Sequence, residues 1–200
     1  GSDRLAEDER IADAFLHGAV GGPSLPARRR ARFHALEVAE VRPLTTDAVE
    51  VSFVVPADLH ADFDYLPGQY VALRATLDGQ EVRRSYSLCR PPTPERISVA
   101  IKRDLGGQFS TWAQSELHPG DRLEVMSPQG TFTSRREDLA GAHLAGFAAG
   151  SGITPLMALA STVLARSETS RFTLVYTNRS TLDVMFLEDL ADLKDRYPTR

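Results

Sequence analysis

Apolar and polar residues alternate through most of the chain from Phe33 onward. Ala35, Leu36, Val38 and Val41 lie in one stretch, and Val49, Val51, Phe53 and Val55 alternate in the next, the period of a half-buried strand. Pro67-Gly68 marks a turn ahead of Tyr70, Val71 and Leu73, and Asp78-Gly79 is a tight-hairpin signal. The second arm of that hairpin runs from Glu81 to Leu88. Ile97, Val99 and Ile101 alternate again, and Leu123, Val125 and Met126 follow the turn Pro119-Gly120-Asp121. Short strands punctuated by turns up to about Phe132 predict a closed antiparallel barrel. One helix interrupts it. Ser110 reads as an N-cap for residues 111–117, with Trp112 and Leu117 as the larger apolar residues.

The pattern changes near Ala142. Residues 144–149 are almost all apolar, as expected for a strand covered on both faces. Gly150-Ser151-Gly152-Ile153 follows, and Thr154-Pro155 reads as N-cap and first helical turn. Leu156, Leu159, Ala160, Val163 and Leu164 form that helix's apolar stripe. Phe172, Leu174, Val175 and Tyr176 predict a second strand. Met185, Phe186, Leu190 and Leu193 predict a second helix, ending near Tyr197-Pro198. Ahead of the barrel, residues 3–20 predict a short amphipathic helix through Ile11, Ala14, Phe15 and Ala19, broken by Gly21-Gly22-Pro23. The basic cluster over 28–32 reads as a solvated surface run. The expected division is therefore an N-terminal helix and linker (1–32), a barrel (33–138) and a partial α/β domain (139–200).

Composition narrows the function classes. The chain has 200 residues, 42% hydrophobic and 25% charged, enough for two modest domains. A net charge of -4 gives no pointer to nucleic acid or a membrane surface. No apolar run is long enough to span a bilayer. The charged start lacks the apolar stretch of a secretory signal, and Gly1-Ser2 reads as an expression scar. Cys89 is the only cysteine, which leaves no disulfide framework, structural zinc or iron–sulfur cluster in these residues. A cytoplasmic, reducing location is expected. No metal-ligand spacing or Ser/His/Asp set stands out; His34, His60 and His118 stand singly, and Cys89 reads as a small buried filler.

Candidate chemistry begins at Arg84-Ser85-Tyr86-Ser87-Leu88. On a strand, Arg84, Tyr86 and Leu88 share one face and Ser85 and Ser87 the other. A cation and an aromatic ring on one face suit a partner with an anionic part and a flat part, as in a flavin nucleotide; an exposed strand with a salt-bridged Arg is the other reading. Gly150-x-Gly152 between a strand and a helix is a dinucleotide arrangement. Helix-start amides there face a pyrophosphate, although Pro155 stands where the common glycine pattern has its last small residue. Gly106, Gly107 and Ser110 offer a second anion site of the same kind, or a plain loop and cap. Arg179 follows the second α/β strand, where a 2′-phosphate reader is expected, or is a surface Arg.

In this order, and with Pro67-Gly68-Gln69-Tyr70, these sites resemble the ferredoxin–NADP⁺ reductase superfamily from about residue 33 to the end. Val125-Met126-Ser127-Pro128 and Asn178-Arg179-Ser180 are most similar to oxygenase reductases of the phenylacetyl-CoA epoxidase type, with the ketosteroid hydroxylase type close behind. The resemblance implies a six-stranded antiparallel barrel holding FAD, then a parallel α/β domain binding NADPH or NADH. It implies that Arg84 binds the flavin phosphates, Tyr86 packs on the isoalloxazine and Ser87 hydrogen-bonds near N5, with Leu88 completing the motif. Gly106, Gly107 and Ser110 would hold the FAD pyrophosphate. Gly150, Gly152 and Thr154 would shape the nicotinamide site, and Arg179 would meet the adenosine end. The implied activity is hydride transfer from NAD(P)H to flavin N5, followed by electron delivery to an iron–sulfur domain and an oxygenase. Two departures stand out. The cysteine-held iron–sulfur domain of such reductases has no counterpart here, and the nucleotide domain reads as only strand, helix, strand and part of a helix. The expectation is a fragment of a longer reductase, its bare apolar surface masked by dimerisation or by a crystal neighbour. The alternatives are a flavin-binding fragment that docks a partner without NAD(P)H turnover, and a cofactor-free interaction barrel.

Overall fold

Six strands with alternating inward side chains wrap around the first core. They are β1 (Phe33–Thr45), β2 (Ala48–Val54), β3 (Tyr70–Leu77), β4 (Gln80–Ser87), β5 (Arg96–Lys102) and β6 (Arg122–Met126). A computed structural model describes residues 31–133 and 141–200 of the chain. The helix expected over 3–20, its linker and most of the basic cluster lie outside the described residues, as does the boundary expected at 138.

All strand pairs in the sheet are antiparallel, in the order β4-β3-β6-β1-β2-β5. Leu88, just past β4, bridges Val99 of β5, and the Cys89 amide donates to the Ser98 carbonyl at 3.0 Å. That bridge joins the two edge strands and makes the sheet the expected barrel. The β3–β4 hairpin turns on Asp78 (φ 50°) and Gly79 (φ 76°), the left-handed pair that matches strand twist. Leu36, Phe53, Leu73, Val99, Ile101 and Val125 fill the interior, and Phe109, Ala113 and Leu117 pack against them from α1 (Gln108–Ser115) and its exit. This helix begins earlier than the sequence predicts. Gly106, at φ 75°, reverses the chain ahead of it, Gly107 is the N-cap, and Ser110 sits in the first turn.

The second part pairs β7 (His143–Ala149) with β8 (Arg171–Thr177) in parallel. Between them a 3₁₀ turn (Gly150–Gly152) leads into α2 (Ile153–Arg166), capped by Gly152 rather than Thr154. Thr154 instead donates its hydroxyl to the Ser151 carbonyl at 2.8 Å. Gly146 lets α2 lie close, since a Cβ there would come within 3.0 Å of Leu156 and the Phe172 ring. The expected cover on both faces is not found among the described residues: Phe147 is 76% and Val175 46% exposed on the face away from α2. Met185 and Phe186 precede α3 (Leu187–Arg196) instead of lying in it, both buried.

A second core joins the two parts. Ala48, Cys89 and Ala100 from the barrel wall pack with Ile153, Leu156, Met157, Met185 and Phe186, and Ala31–Arg200 form one compact unit.

The tightest backbone approach generates a stability prediction. Gly68 has φ 94°, and a Cβ added there would sit 1.7 Å from the Phe132 carbonyl oxygen. Gly68→Ala is expected to cost about 2–4 kcal/mol in urea unfolding. A loss below about 0.5 kcal/mol, ordinary for a surface change, would mean that the turn relaxes freely.

Candidate functional site

The aromatic ledge is built where β4 meets α1. Tyr86 pairs with Val71 across β3–β4 and is half-buried. Its ring centroid lies 5.9 Å from that of Phe109, which in turn meets Trp112 edge-on at 5.5 Å. Burial pushes the Tyr86 phenol up to about 12; Asp104 adds to the rise and Arg84 opposes it. The hydroxyl therefore stays neutral and able to donate at ordinary pH. Arg84 shares the alternate position on β4, but it is exposed rather than buried, and its Nη1 donates to the Arg83 carbonyl at 2.8 Å. Leu88 is buried in the barrel core, so its side chain is structural.

Ser87 stands opposite Tyr70 in register. Tyr70 is pinned by paired backbone hydrogen bonds with Gln129 at 2.9 and 2.8 Å, and its ring lies against Gly130. Gln69, to which the sequence motif assigns no role, organises this corner. Its side chain accepts from Leu66 N at 2.9 Å and donates to Gly130 O at 3.1 Å, while its carbonyl accepts from Leu88 N at 2.9 Å. A Pro-Gly turn leaves backbone groups to be satisfied, and the side-chain amide beside it is the one clue the sequence offers.

Across the ledge, the loop before α1 is held by side chains of its own. Ser110 Oγ accepts from Asp104 N at 3.1 Å and donates to Gly107 O at 3.4 Å. Its hydroxyl is thus engaged within the loop. What remains is the first-turn backbone N–H groups, including that of Ser110, which have no partner within the helix. A Cβ at Gly106 would stand in open space, whereas one at Gly107 would be 2.6 Å from Ser110 Oγ.

The residues expected to meet a nucleotide lie at or near the carboxyl ends of β7 and β8, the usual ligand crevice of parallel sheets. A cavity of about 250 Å³ is lined there by Lys102, Gly150, Thr177, Asn178, Arg179 and Asp183. Gly150 (φ 50°) and Gly152 both face open space, and Tyr176 Oη donates to Gly150 O at 2.9 Å. Thr154 is buried behind the turn. Arg179 is 78% exposed and lies 3.0 Å from Asp183 and 3.8 Å from Asp47. Lys102, at the end of β5, lies 3.6 Å from Asp47; the sequence does not reveal it because it belongs to a strand of the other part. Ser180, Arg179 and Lys102 hold the Asp183 carboxyl below its ordinary range against a smaller effect of desolvation. Asn178 lines the cavity, while its Oδ1 is buried without a hydrogen-bond partner. Among the described residues, no group of three or more His, Cys, Asp or Glu is arranged to hold a metal.

A half-buried charge network centred on Glu50 ties the barrel to α3. Glu50 on β2 is 4% exposed. It accepts from Arg90 Nε and Nη2, both at 2.6 Å, and from Arg42 Nη2 at 2.7 Å. Arg42 and Arg90 also reach Asp189 on α3, at 2.8 and 2.5 Å. The Cys89 thiol points at Glu50 Oε1, 3.6 Å away. Desolvation alone would raise the Glu50 carboxyl. Hydrogen bonds and charge from Arg90 and Arg42 outweigh it and hold the group below its ordinary range. Asp189 is lowered by the same balance.

Comparison with known proteins yields a consistent picture. Residues 35–134 match the oxidoreductase FAD-binding domain family, and residues 147–200 match the oxidoreductase NAD-binding domain family. The chain is 47% identical over 169 residues to a 1,2-phenylacetyl-CoA epoxidase component from Escherichia coli (strain K12), covering 84% of this chain and 47% of that protein. It is 41% identical over 170 residues to the ferredoxin reductase component of 3-ketosteroid-9-alpha-monooxygenase from Mycolicibacterium smegmatis, covering 82% of this chain and 47% of that one. Among solved structures, the cytochrome P450 reductase GcoB of Amycolatopsis superposes with a TM-score of 0.75 at 25% identity, over 89% of this chain and 53% of that chain. The chain spans about half the length of the curated relatives it matches.

The network predicts acid sensitivity. Both carboxyls titrate lower folded than unfolded, so their stabilisation is complete above the unfolded range near about pH 4 and drains away as pH falls through the folded values. Glu50→Gln, which leaves two guanidinium groups under-neutralised, is expected to lose about 3 kcal/mol in urea unfolding at pH 7 and to flatten the acid slope. A variant with the parent's acid slope would exclude Glu50 as the titrating group.

Proposed function

This chain belongs to the ferredoxin–NADP⁺ reductase superfamily of FAD- and NAD-binding oxidoreductases, and we propose that it is the NAD(P)H-oxidising flavin module of an oxygenase system. The observation that carries this reading is the half-buried Tyr86 ring, backed by the buried Phe109, beside the first-turn amides of α1, which have no partner within the helix. The residues present fit FAD. Tyr86 offers a ring face and a neutral hydroxyl. Arg84 offers an exposed guanidinium suited to phosphate. The Gly106-Gly107 turn and the first-turn amides of Gln108, Phe109 and Ser110 offer an anion seat with room for close approach. Ser87 is the hydroxyl proposed to hydrogen-bond the flavin near N5. When bound, FAD would accept a hydride and release electrons singly, the chemistry the protein itself lacks.

The nucleotide would lie at the carboxyl ends of β7 and β8. Gly150 and Gly152 keep the turn bare of side chains, and Thr154 fixes its shape from behind through Ser151. Arg179 and Lys102 supply positive charge for the adenosine end, with Arg179 favouring a 2′-phosphate and so NADPH. The acceptor proposed is an iron–sulfur domain feeding an oxygenase; its support is that the relatives serve an epoxidase and a monooxygenase. No helix among the described residues is long and apolar enough to cross a membrane, which suits the proposed cytoplasmic location. A second copy is the proposed cover for Phe147 and Val175. The two-stranded β7–β8 sheet favours one second reading, a flavin-holding module that does not turn over NAD(P)H.

Anaerobic titration with NADPH and NADH separates the two readings. Loss of the flavin colour on a catalytic timescale is expected, and a flavin that stays yellow with both nucleotides would leave the second reading. Tyr86→Ala and Arg84→Ala are each expected to weaken FAD retention roughly tenfold, about 1.4 kcal/mol. Unchanged flavin occupancy in both variants would defeat the assignment of the seat.

A further inference from the structure

The cluster of Arg42, Arg90 and Asp189 around the buried Glu50 has no part in either the proposed flavin seat or the proposed nucleotide cavity. Its placement along the chain gives it one. Arg90 lies just beyond the strand end that carries Tyr86 and Ser87. The intervening Leu88 and Cys89 are buried and held from both sides, by the Gln69 carbonyl and the Ser98 carbonyl. The Arg90 guanidinium then bridges Glu50 on β2 and Asp189 on α3, and lies 5.6 Å over the Phe186 ring. Phe186 and Met185 pack in the same buried cluster as Ile153 and Met157 of α2, the helix that starts at the glycine turn. That turn in its turn contacts β5.

We propose that Arg90 is a positioning residue: gripping Glu50 and Asp189 together, it holds the glycine turn at the head of α2 in fixed relation to the strand bearing Tyr86 and Ser87. What it positions rests on the reductase reading; that it latches the two parts does not. One planar fork joins the flavin strand, the barrel wall and α3, which a point-charge ammonium cannot do. Transfer between two bound rings is sensitive to small misplacements, so an element that fixes the mutual position of their seats acts on rate rather than on affinity.

Cys89 supplies the reporter. It is the chain's only cysteine, buried with its thiol against Glu50, and reacts with a thiol reagent only when the latch opens. The test uses the whole FAD-loaded chain and the variants Arg90→Lys, Asp189→Asn and Asp189→Glu, with iodoacetamide labelling of Cys89 under native conditions. In Arg90→Lys and Asp189→Asn, labelling is expected to quicken about tenfold beyond what the loss of global stability accounts for, as local opening does. Flavin occupancy is expected to hold. Anaerobic flavin reduction at saturating NADPH is expected to slow roughly tenfold, with the half-saturating NADPH concentration little changed. Asp189→Glu, which keeps the carboxylate, is expected to recover both readouts. Should Arg90→Lys not fold, Asp189→Asn carries the test. Labelling that only tracks global stability overturns the latch, and a parent-like saturating rate overturns the positioning role. A parent protein that neither NADPH nor NADH reduces sinks the reductase reading instead, while the labelling still decides the latch.

Discussion

Glu50 is a carboxylate buried on the outer face of the barrel wall, on the side of Ala48 and Ala100, and an isolated charge there would be intolerable. Arg42 and Arg90 make it tolerable, and because each also reaches Asp189, neutralising Glu50 brings α3 against the barrel. A buried ion pair is often a poor source of net stability, since desolvation consumes much of its Coulomb attraction. Its effect here is on geometry. Ala48, Cys89, Ala100, Ile153, Met157 and Phe186 supply an apolar contact that by itself tolerates sliding; in the arrangement present all four charged groups are paired.

The proposed flavin seat adjoins the same joint. β4 presents Tyr86 and Ser87, then continues as Leu88-Cys89 to close the barrel against β5. The residues that close the barrel therefore lie between the proposed seat and the latch, and the strand cannot shift at one end without disturbing the other. Gln69 works from the opposite side, tying the turn before β3 both to Leu88 and to Gly130. The proposed seat is flanked on both sides by residues engaged in backbone hydrogen bonds, the arrangement a preorganised cofactor site requires.

Much of this is legible in the residues alone. The barrel strands show because each has one buried face, so a period of two is written directly into the chain. Asp78-Gly79 marks the hairpin, since few residue pairs accept two left-handed positions in succession. Local capping is less legible. Ser110 and Thr154 both look like N-caps, yet each sits inside its helix and bonds back to the preceding turn, because glycines at 107 and 152 already take the cap position. Arg84 falls on the predicted face of β4 but is exposed, since alternation tells which face a residue joins and not how deeply that face is covered there. The same limit applies to residues 144–149. An apolar run reads as doubly covered, while among the described residues Phe147 remains bare.

Periodicity, turn chemistry and the ordered glycine and Arg-x-Tyr-Ser motifs determine the barrel, the α/β half and the family, because each is a local property of neighbouring residues. The joint between the halves is different in kind. Arg90 meets Glu50 across 40 residues and Asp189 across 99, and Lys102 reaches the proposed nucleotide cavity from a strand of the barrel. Nothing in the local pattern marks these side chains as partners. Opposite charges are common and undirected along a chain, and only the closure of the barrel and the docking of α3 bring Arg90, Glu50 and Asp189 within hydrogen-bonding distance.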